Sequence, residues 1–208
     1  ANLNKQLESI FFKNLGITNY SETLKKMQEF TTQRKGDTPD EVWFLEHEAV
    51  YTYGMKTNKD DIPENTQLPL LKSDRGGKIT FHGPGQLVVY PLFDLRRRSI
   101  KPREFIYKFQ DSIHRSLRDY QSNLTINNDD PGIYYENKKV VSFGLKITKK
   151  GTYHGASINI SMDLAPWNEV TICGNDQTEA IDLRKLGCNN SFNEIRKSIR
   201  KNLSKKFK

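Results

Sequence analysis

The sequence predicts an α+β (α/β) fold, a mixed β-sheet with packing helices. Three observations predict it. Apolar residues recur at helical spacing in three separate stretches. Short runs rich in Val, Ile, Tyr and Phe lie between those stretches, punctuated by turn residues. Strands gathered in the middle of a chain with a few helices around them must bury their apolar faces against those helices.

The first helix starts near Asn19, with Glu22 three residues on as its capping-box partner. Leu24, Met27 and Phe30 then mark its buried side. Val42–Leu45 and Val50–Tyr53 are strand-like and flank Glu46 and His47, and Leu87–Tyr90 is a compact apolar run. A second helix begins at Pro102, whose missing N–H and fixed φ suit a first turn. Phe105, Phe109, Ile113 and Leu117 fall four apart on one face. Gly132–Tyr135, Val140–Phe143 and Ile158–Ile160 follow as strands, with turn chemistry at Asp130-Pro131-Gly132 and Lys149-Lys150-Gly151. A third helix opens with the capping box of Ser191 and Glu194 and buries Ile195, Ile199 and Leu203.

The chain has 208 residues, 35% of them hydrophobic, which suits one domain over residues 1–208 with its own core. No apolar run approaches the length needed to cross a bilayer, and residues 1–6 lack the apolar core of a secretory signal, so a cytoplasmic protein without a membrane role is expected. Two cysteines, Cys173 and Cys188, are too few for a disulfide framework, and no CxxC pair suggests a metal site. The net charge of +8 attracts acidic partners. Much of it comes from Lys197, Arg200, Lys201, Lys205, Lys206 and Lys208, a pattern that normally marks a solvated helix face. With no RNP motif, zinc finger or recognition helix, nucleic acid is not an expected partner.

Four segments carry chemistry. Arg75 through Gln86 combines four glycines and a proline with Arg75, Thr80 and His82. Glycines let backbone approach a ligand closely, and their free amides hold carbonyls or anions, so a binding loop is favoured over a plain turn. Lys139 precedes the apolar pair Val140-Val141 in a strand that runs on to Ser142, Phe143 and Gly144. A lysine at the mouth of a buried strand is partly desolvated, which readies it for proton transfer. His154, Gly155, Ala156 and Ser157 set small residues beside a histidine, as a pocket wall requires. Cys173 is followed by Gly174, which leaves its sulfur open. A nucleophilic thiolate needs a cationic or basic neighbour, for which Lys139, His82 and His154 are the candidates. Cys188 reads as structural.

These residues resemble the lipoyl(octanoyl) transferases, of the biotin/lipoate protein ligase fold group. Arg75–Gln86 with Tyr90 is similar to that family's RGGxxTxHGPGQ loop, and Leu45-Glu46-His47 with Val50–Gly54 to its LEHxxVYTxG stretch. Lys139-Val140 with Gly144, His154-Gly155 with Asn159, and Cys173-Gly174 follow in the family's order. Ser157 stands where an alanine is common, Ile172 where a proline is, and Phe81 where a tyrosine is frequent.

The resemblance implies a biotin/lipoate ligase-like catalytic domain with Cys173 and Lys139 as catalytic pair. It implies a substrate pocket from Arg75, Gly76, Gly77, Lys78, Ile79, Thr80, Phe81 and His82, with Tyr90, Ser142, Phe143, Gly144, His154, Gly155, Ala156 and Ser157. The implied activity is transfer of an octanoyl group from octanoyl-acyl carrier protein, through a cysteine thioester, to a lysine of apo lipoyl domains. Those domains belong to 2-oxoacid dehydrogenases and the glycine-cleavage H protein. No cofactor and no metal are implied, and a monomer is expected. The alternatives are an ATP-dependent lipoate or biotin protein ligase of the same fold, a non-catalytic binding protein on the same scaffold, and a nucleic-acid binder supported by charge alone.

Overall fold

The computed structural model describes residues 9–170 and 178–208. Strands are β1 (Ile10–Thr18), β2 (Asp40–His47), β3 (Val50–Tyr53), β4 (Leu70–Lys72), β5 (Ile79–His82), β6 (Gln86–Leu92), β7 (Leu124–Asn127), β8 (Gly132–Tyr135), β9 (Lys138–Ile147), β10 (Thr152–Asn159) and β11 (Glu179–Ala180). Helices are α1 (Tyr20–Gln33), α2 (Pro102–Arg118) and α3 (Phe192–Lys206). Among the described residues the main sheet runs β1-β2-β6-β10-β9-β8-β7, with β11 added alongside β9, and a small sheet runs β4-β3-β5. β1 lies parallel to β2 and β11 parallel to β9, whereas β2, β6, β10, β9 and β8 pair antiparallel, so the sheet is mixed as expected.

The helices form where the sequence places their signals. Asn19 caps α1 by accepting from the Glu22 amide, Ser191 caps α3 by accepting from the Glu194 amide, and Pro102 opens α2. The central strands are buried on both faces because helices cover both. Val42 and Phe44 of β2 with Leu87 and Val89 of β6 point toward α2 and α3, where they meet Phe105, Phe109, Ile195 and Ile199. The alternating residues Trp43, Leu45, Val88 and Tyr90 point the other way and pack with Met27 of α1. A third cluster of Tyr51, Ile79, Phe81, Trp167 and Val170 forms under the small sheet.

One buried carboxylate fastens three parts of the chain. Asp40 is fully buried and pairs with Arg34 just past α1 and with Arg97 and Arg98 after β6. Arg98 also donates to the Phe207 carbonyl at 2.8 Å, which ties the end of α3 to the sheet. Removing one partner from such a buried set is costly because the remaining charges stay desolvated.

Two expectations change, and both edge strands are new. Ile79–His82, read within a loop, is strand β5, pairing with β3 from Tyr53↔Ile79 to Val50↔His82. The strand expected at Ile158–Ile160 is the end of β10, which starts at Thr152 and takes in His154. β1 and β7, the two ends of the main sheet, were not expected: β1 is mostly exposed and its register shifts between Asn14 and Ile17, and β7 alternates over only four residues, Leu124–Asn127. β1 leaves the apolar Phe11, Leu15 and Ile17 exposed, so its apolar residues do not trace a buried face.

Candidate functional site

A cavity opens where the small sheet meets β9 and β10. Its entrance is shaped by the turn before β5. Arg75 is buried and donates through its guanidinium to the Thr52 carbonyl at 2.8 Å, the Thr52 hydroxyl at 2.9 Å, the Lys78 carbonyl at 2.8 Å and the Gly76 carbonyl at 2.9 Å. One planar fork thus freezes the turn against β3. Gly77 takes φ +85°, a region that L side chains avoid. The turn then lies on β9: the Gly76 amide donates to the Leu145 carbonyl at 3.1 Å, and a Cβ on Gly144 would sit 2.9 Å from the Gly76 carbonyl.

Most of the residues expected at the site converge on this cavity. The turn contributes Arg75, Gly77 and Lys78, and β5 contributes Ile79, Thr80 and His82. Tyr90 reaches it from β6, Lys139, Ser142, Phe143 and Gly144 from β9, and His154, Gly155, Ala156 and Ser157 from β10. Two of the expected residues face elsewhere. Gly76 lines the adjoining groove beside α2, and Phe81 packs its ring against Tyr51 and Trp167 beneath the small sheet. Cys173 lies outside the described residues.

Three lining residues were not expected: Asp130, Pro131 and Trp167. Asp130-Pro131 was legible only as turn chemistry. Its place beside Lys139 follows from the antiparallel pairing of β8 with β9, which sequence spacing alone does not fix. Trp167 arrives on a short 3-10 helix, Ala165–Glu169, held by the Tyr51 hydroxyl donating to the Pro166 carbonyl at 2.7 Å.

The cavity wall carries two chemically different groups of side chains. In one group Lys139 is buried, with its side-chain nitrogen 3.2 Å from Asp130 Oδ1. The other group is made of aromatic and histidine side chains. His82 stacks on Tyr20, with ring centroids 5.7 Å apart, and lies 5.5 Å from the His47 ring. His47 Nε2 meets the Tyr90 hydroxyl at 2.7 Å, and His154 donates through Nε2 to Asp74 Oδ1 at 2.7 Å. His154 sits opposite Leu145 in the β9–β10 ladder, six positions along β9 from Lys139. That is roughly 20 Å of strand between the backbones of His154 and Lys139.

Burial decides the charge of these rings. His47 is pushed down to about 4, with desolvation as the main cause. Desolvation also lowers His82 and His154, and for His154 it outweighs the Asp74 carboxylate. Asp74 itself is held well below the usual carboxylate range, because its bonds to His154 and Tyr153 together outweigh its own desolvation. All three histidines are therefore neutral near pH 7. Gln86 donates its amide to the Phe81 carbonyl and to Asn159, leaving its oxygen to accept from His82 Nδ1 at 2.7 Å. That assigns the proton of His82 to Nδ1. His82 Nε2, His154 Nδ1, Thr80 Oγ1 and Trp167 Nε1 are buried without a partner among the described residues, and all four belong to side chains that line the cavity.

Cys188 is buried in the main core, its thiol donating to the Tyr120 carbonyl at 3.4 Å and raised by burial, which suits a structural residue. Among the described residues no group of three or more His, Cys, Asp or Glu is placed to hold a metal ion, and no helix is long and apolar enough to cross a membrane.

Residues 19–204 match the family described as "Lipoyl protein ligase A/B catalytic domain". The octanoyltransferase of Laribacter hongkongensis (strain HLHK9) is 43% identical over 175 residues, which cover 84% of each chain. The octanoyltransferase of Buchnera aphidicola subsp. Baizongia pistaciae (strain Bp) is 38% identical over 183 residues, covering 87% of this chain and 90% of that one. Among solved structures, a lipoate-protein ligase A bound with ATP superposes with a TM-score of 0.75 at 13% identity, over 94% of this chain and 84% of that one. A biotin protein ligase from Aquifex aeolicus superposes with a TM-score of 0.55 at 13% identity, over 96% of this chain and 69% of that one. At such identities the structural likeness is one of fold.

Proposed function

The chain belongs to the lipoyl protein ligase A/B catalytic-domain family, and from that premise we propose that it is an octanoyltransferase of lipoate biosynthesis. The octanoyl group comes from a thioester on acyl carrier protein and goes to a lysine of an apo lipoyl domain, of a 2-oxoacid dehydrogenase or the glycine-cleavage H protein. We read residues 1–208 as one catalytic domain, working as a monomer in the cytoplasm. The observation that carries this reading is the buried Lys139 in a cavity walled by β9 and β10 and by the side chains of Phe143, Tyr90 and Trp167. Such a cavity suits a reacting carbonyl at the lysine and a medium acyl chain extending away from it.

Cys173, assigned from the sequence motif, attacks the donor carbonyl as a thiolate after passing its proton to Lys139. The tetrahedral intermediate expels the carrier's thiolate, which recovers the proton from the Lys139 ammonium. An acyl-cysteine thioester remains. The acceptor lysine then attacks as the neutral amine, and Lys139 takes the proton that its nitrogen sheds. The C–S bond breaks, an amide forms, and Cys173 is released. One thioester replaces another in the first half, and amide formation drives the second. The donor is already activated, so the chemistry needs no ATP.

The test is the intact mass of the protein after incubation with octanoyl-acyl carrier protein in the absence of ATP. The expected gain is one octanoyl group in the wild type and none in Cys173→Ala. An unchanged wild-type mass, together with acceptor modification once free octanoate and ATP are supplied, would replace this reading with an ATP-dependent ligase.

A further inference from the structure

We propose that Asp130 is the positioning residue of Lys139, holding its amine at the cavity. The inference rests on the role given to Lys139 above. Asp130 Oδ1 lies 3.2 Å from Lys139 Nζ, and both residues line the cavity. The lysine side chain is 5% exposed and the carboxylate 30%, so the pair sits at the inner edge of the opening.

The rest of the β7–β8 hairpin is built around the same lysine. A Cβ on Gly132 would stand 2.6 Å from Lys139 Cε, so the hairpin offers the stem a bare backbone to lie against. The ring of Tyr134 lies beside the amine, with its centroid 5.8 Å from Nζ. Its hydroxyl donates back to the Asp130 carbonyl at 2.8 Å, which clamps the turn that carries the carboxylate. The Phe143 amide donates to the Pro131 carbonyl at 3.0 Å and fastens the turn to β9. The backbone of Lys139 is fixed from both sides, by Tyr134 of β8 and by Ala180 of β11.

A lysine has a flexible four-carbon stem and a point charge, so its amine wanders unless something holds it. A base oriented by a third group is the recurring architecture of activated nucleophiles. Lys139 is an ammonium after it has accepted the thiol proton and again after it has accepted the acceptor's proton. A carboxylate 3.2 Å away stabilises both states. The proton moves between sulfur or substrate nitrogen and Nζ. No bond to Asp130 forms or breaks, so Asp130 acts through Lys139.

The experiment uses the full chain with Asp130→Asn and Asp130→Glu. Asparagine keeps the size and the turn-forming character of the side chain and removes only its charge. The expected result for Asp130→Asn is a fall in kcat on the order of tenfold to a hundredfold, with KM for octanoyl-acyl carrier protein unchanged. The melting temperature should fall because one partner of a largely buried pair is removed, so rates are compared well below it, and Asp130→Glu should recover part of the rate. A second readout needs no turnover: labelling of lysines by acetic anhydride, mapped by peptide mass. Lys139 should label several-fold faster relative to Lys138 and Lys146 in Asp130→Asn than in the wild type. Wild-type kcat in Asp130→Asn, or a loss confined to KM, would overturn the proposal while leaving the octanoyltransferase reading intact. If the wild type forms no acyl-enzyme, that reading fails, and the labelling alone decides whether Asp130 positions the lysine: equal labelling overturns it.

Discussion

At the scale of residues, the buried histidines set the acid limit of the fold. His47, His82 and His154 are each 5% exposed or less, and burial lowers all three. A histidine whose folded value is depressed binds fewer protons folded than unfolded between the two values. Stability is then complete above the unfolded value near 6.5 and is lost as the pH falls toward the folded one. For His47 that window runs from 6.5 down to about 4. His82 and His154 add to the loss in the same direction. The Asp74 carboxyl weakens the fold only below its own ordinary range, so the histidines dominate this window. Thermal melts taken across it should show the melting temperature dropping steeply with acid. A flat profile between pH 6.5 and 5 would mean that water reaches these rings. Residue chemistry was partly legible in the sequence. His82 and His154 stood out by their glycine-rich surroundings, whereas His47 was read only as a motif position. Asp130 was legible as a turn former, because its tie to Lys139 exists only once β8 and β9 pair.

At the scale of elements, the helices were the most legible part, because each carries two independent signals. In α3 the cap and the apolar face agree, and their contributions are separable. Ser191→Ala removes one bond to the Glu194 amide and should cost about 1 kcal/mol. Leu203→Ala empties a fully buried position against α2 and the sheet and should cost about 2–5 kcal/mol. Urea unfolding of both variants and the double variant would check this, with near-additive effects expected for sites three turns apart on one rigid helix. Equal costs would mean that α3 is held by its ends rather than by its face. The strands were less legible for a definite reason. β2, β6 and β9 are central and strongly apolar, so they announced themselves. β5 and most of β10 carry histidine, glycine, serine and threonine because they wall the cavity, and those residues imitate loop composition. β1 is an exposed edge strand with no continuous buried face, and β7 has only four residues in which to show its alternation.

At the scale of the whole molecule, the charge of +8 is the property with the longest reach. Part of the basic C-terminal run is structural: Lys206 pairs with Asp111 of α2, and the Arg200 guanidinium lies 4.8 Å over the Phe12 ring of β1. Lys197, Lys201, Lys205 and Lys208 remain exposed. Carrier proteins and lipoyl domains of acidic character would be drawn to such a surface before any specific contact forms. Steering of that kind acts on the encounter rate and is screened beyond a Debye length, about 10 Å at 0.1 M salt. Raising the salt from about 20 mM to about 300 mM should therefore lower kcat/KM for an acidic acyl-carrier donor by roughly an order of magnitude. The same change should leave kcat/KM for a small octanoyl thioester nearly constant, because that donor carries no field to be screened. Replacing Lys197, Lys201 and Lys205 by Glu lowers the net charge by six, from +8 to +2. If α3 supplies the attraction, this variant should flatten the salt dependence without changing the rate on the small donor. A salt slope that survives the substitutions would place the attracting surface near the cavity instead, where Lys78 lines the opening and Lys56 and Arg103 line the adjoining groove. A carrier-donor rate insensitive to salt in the wild type would rule out steering altogether and leave the basic balance with no part in donor choice.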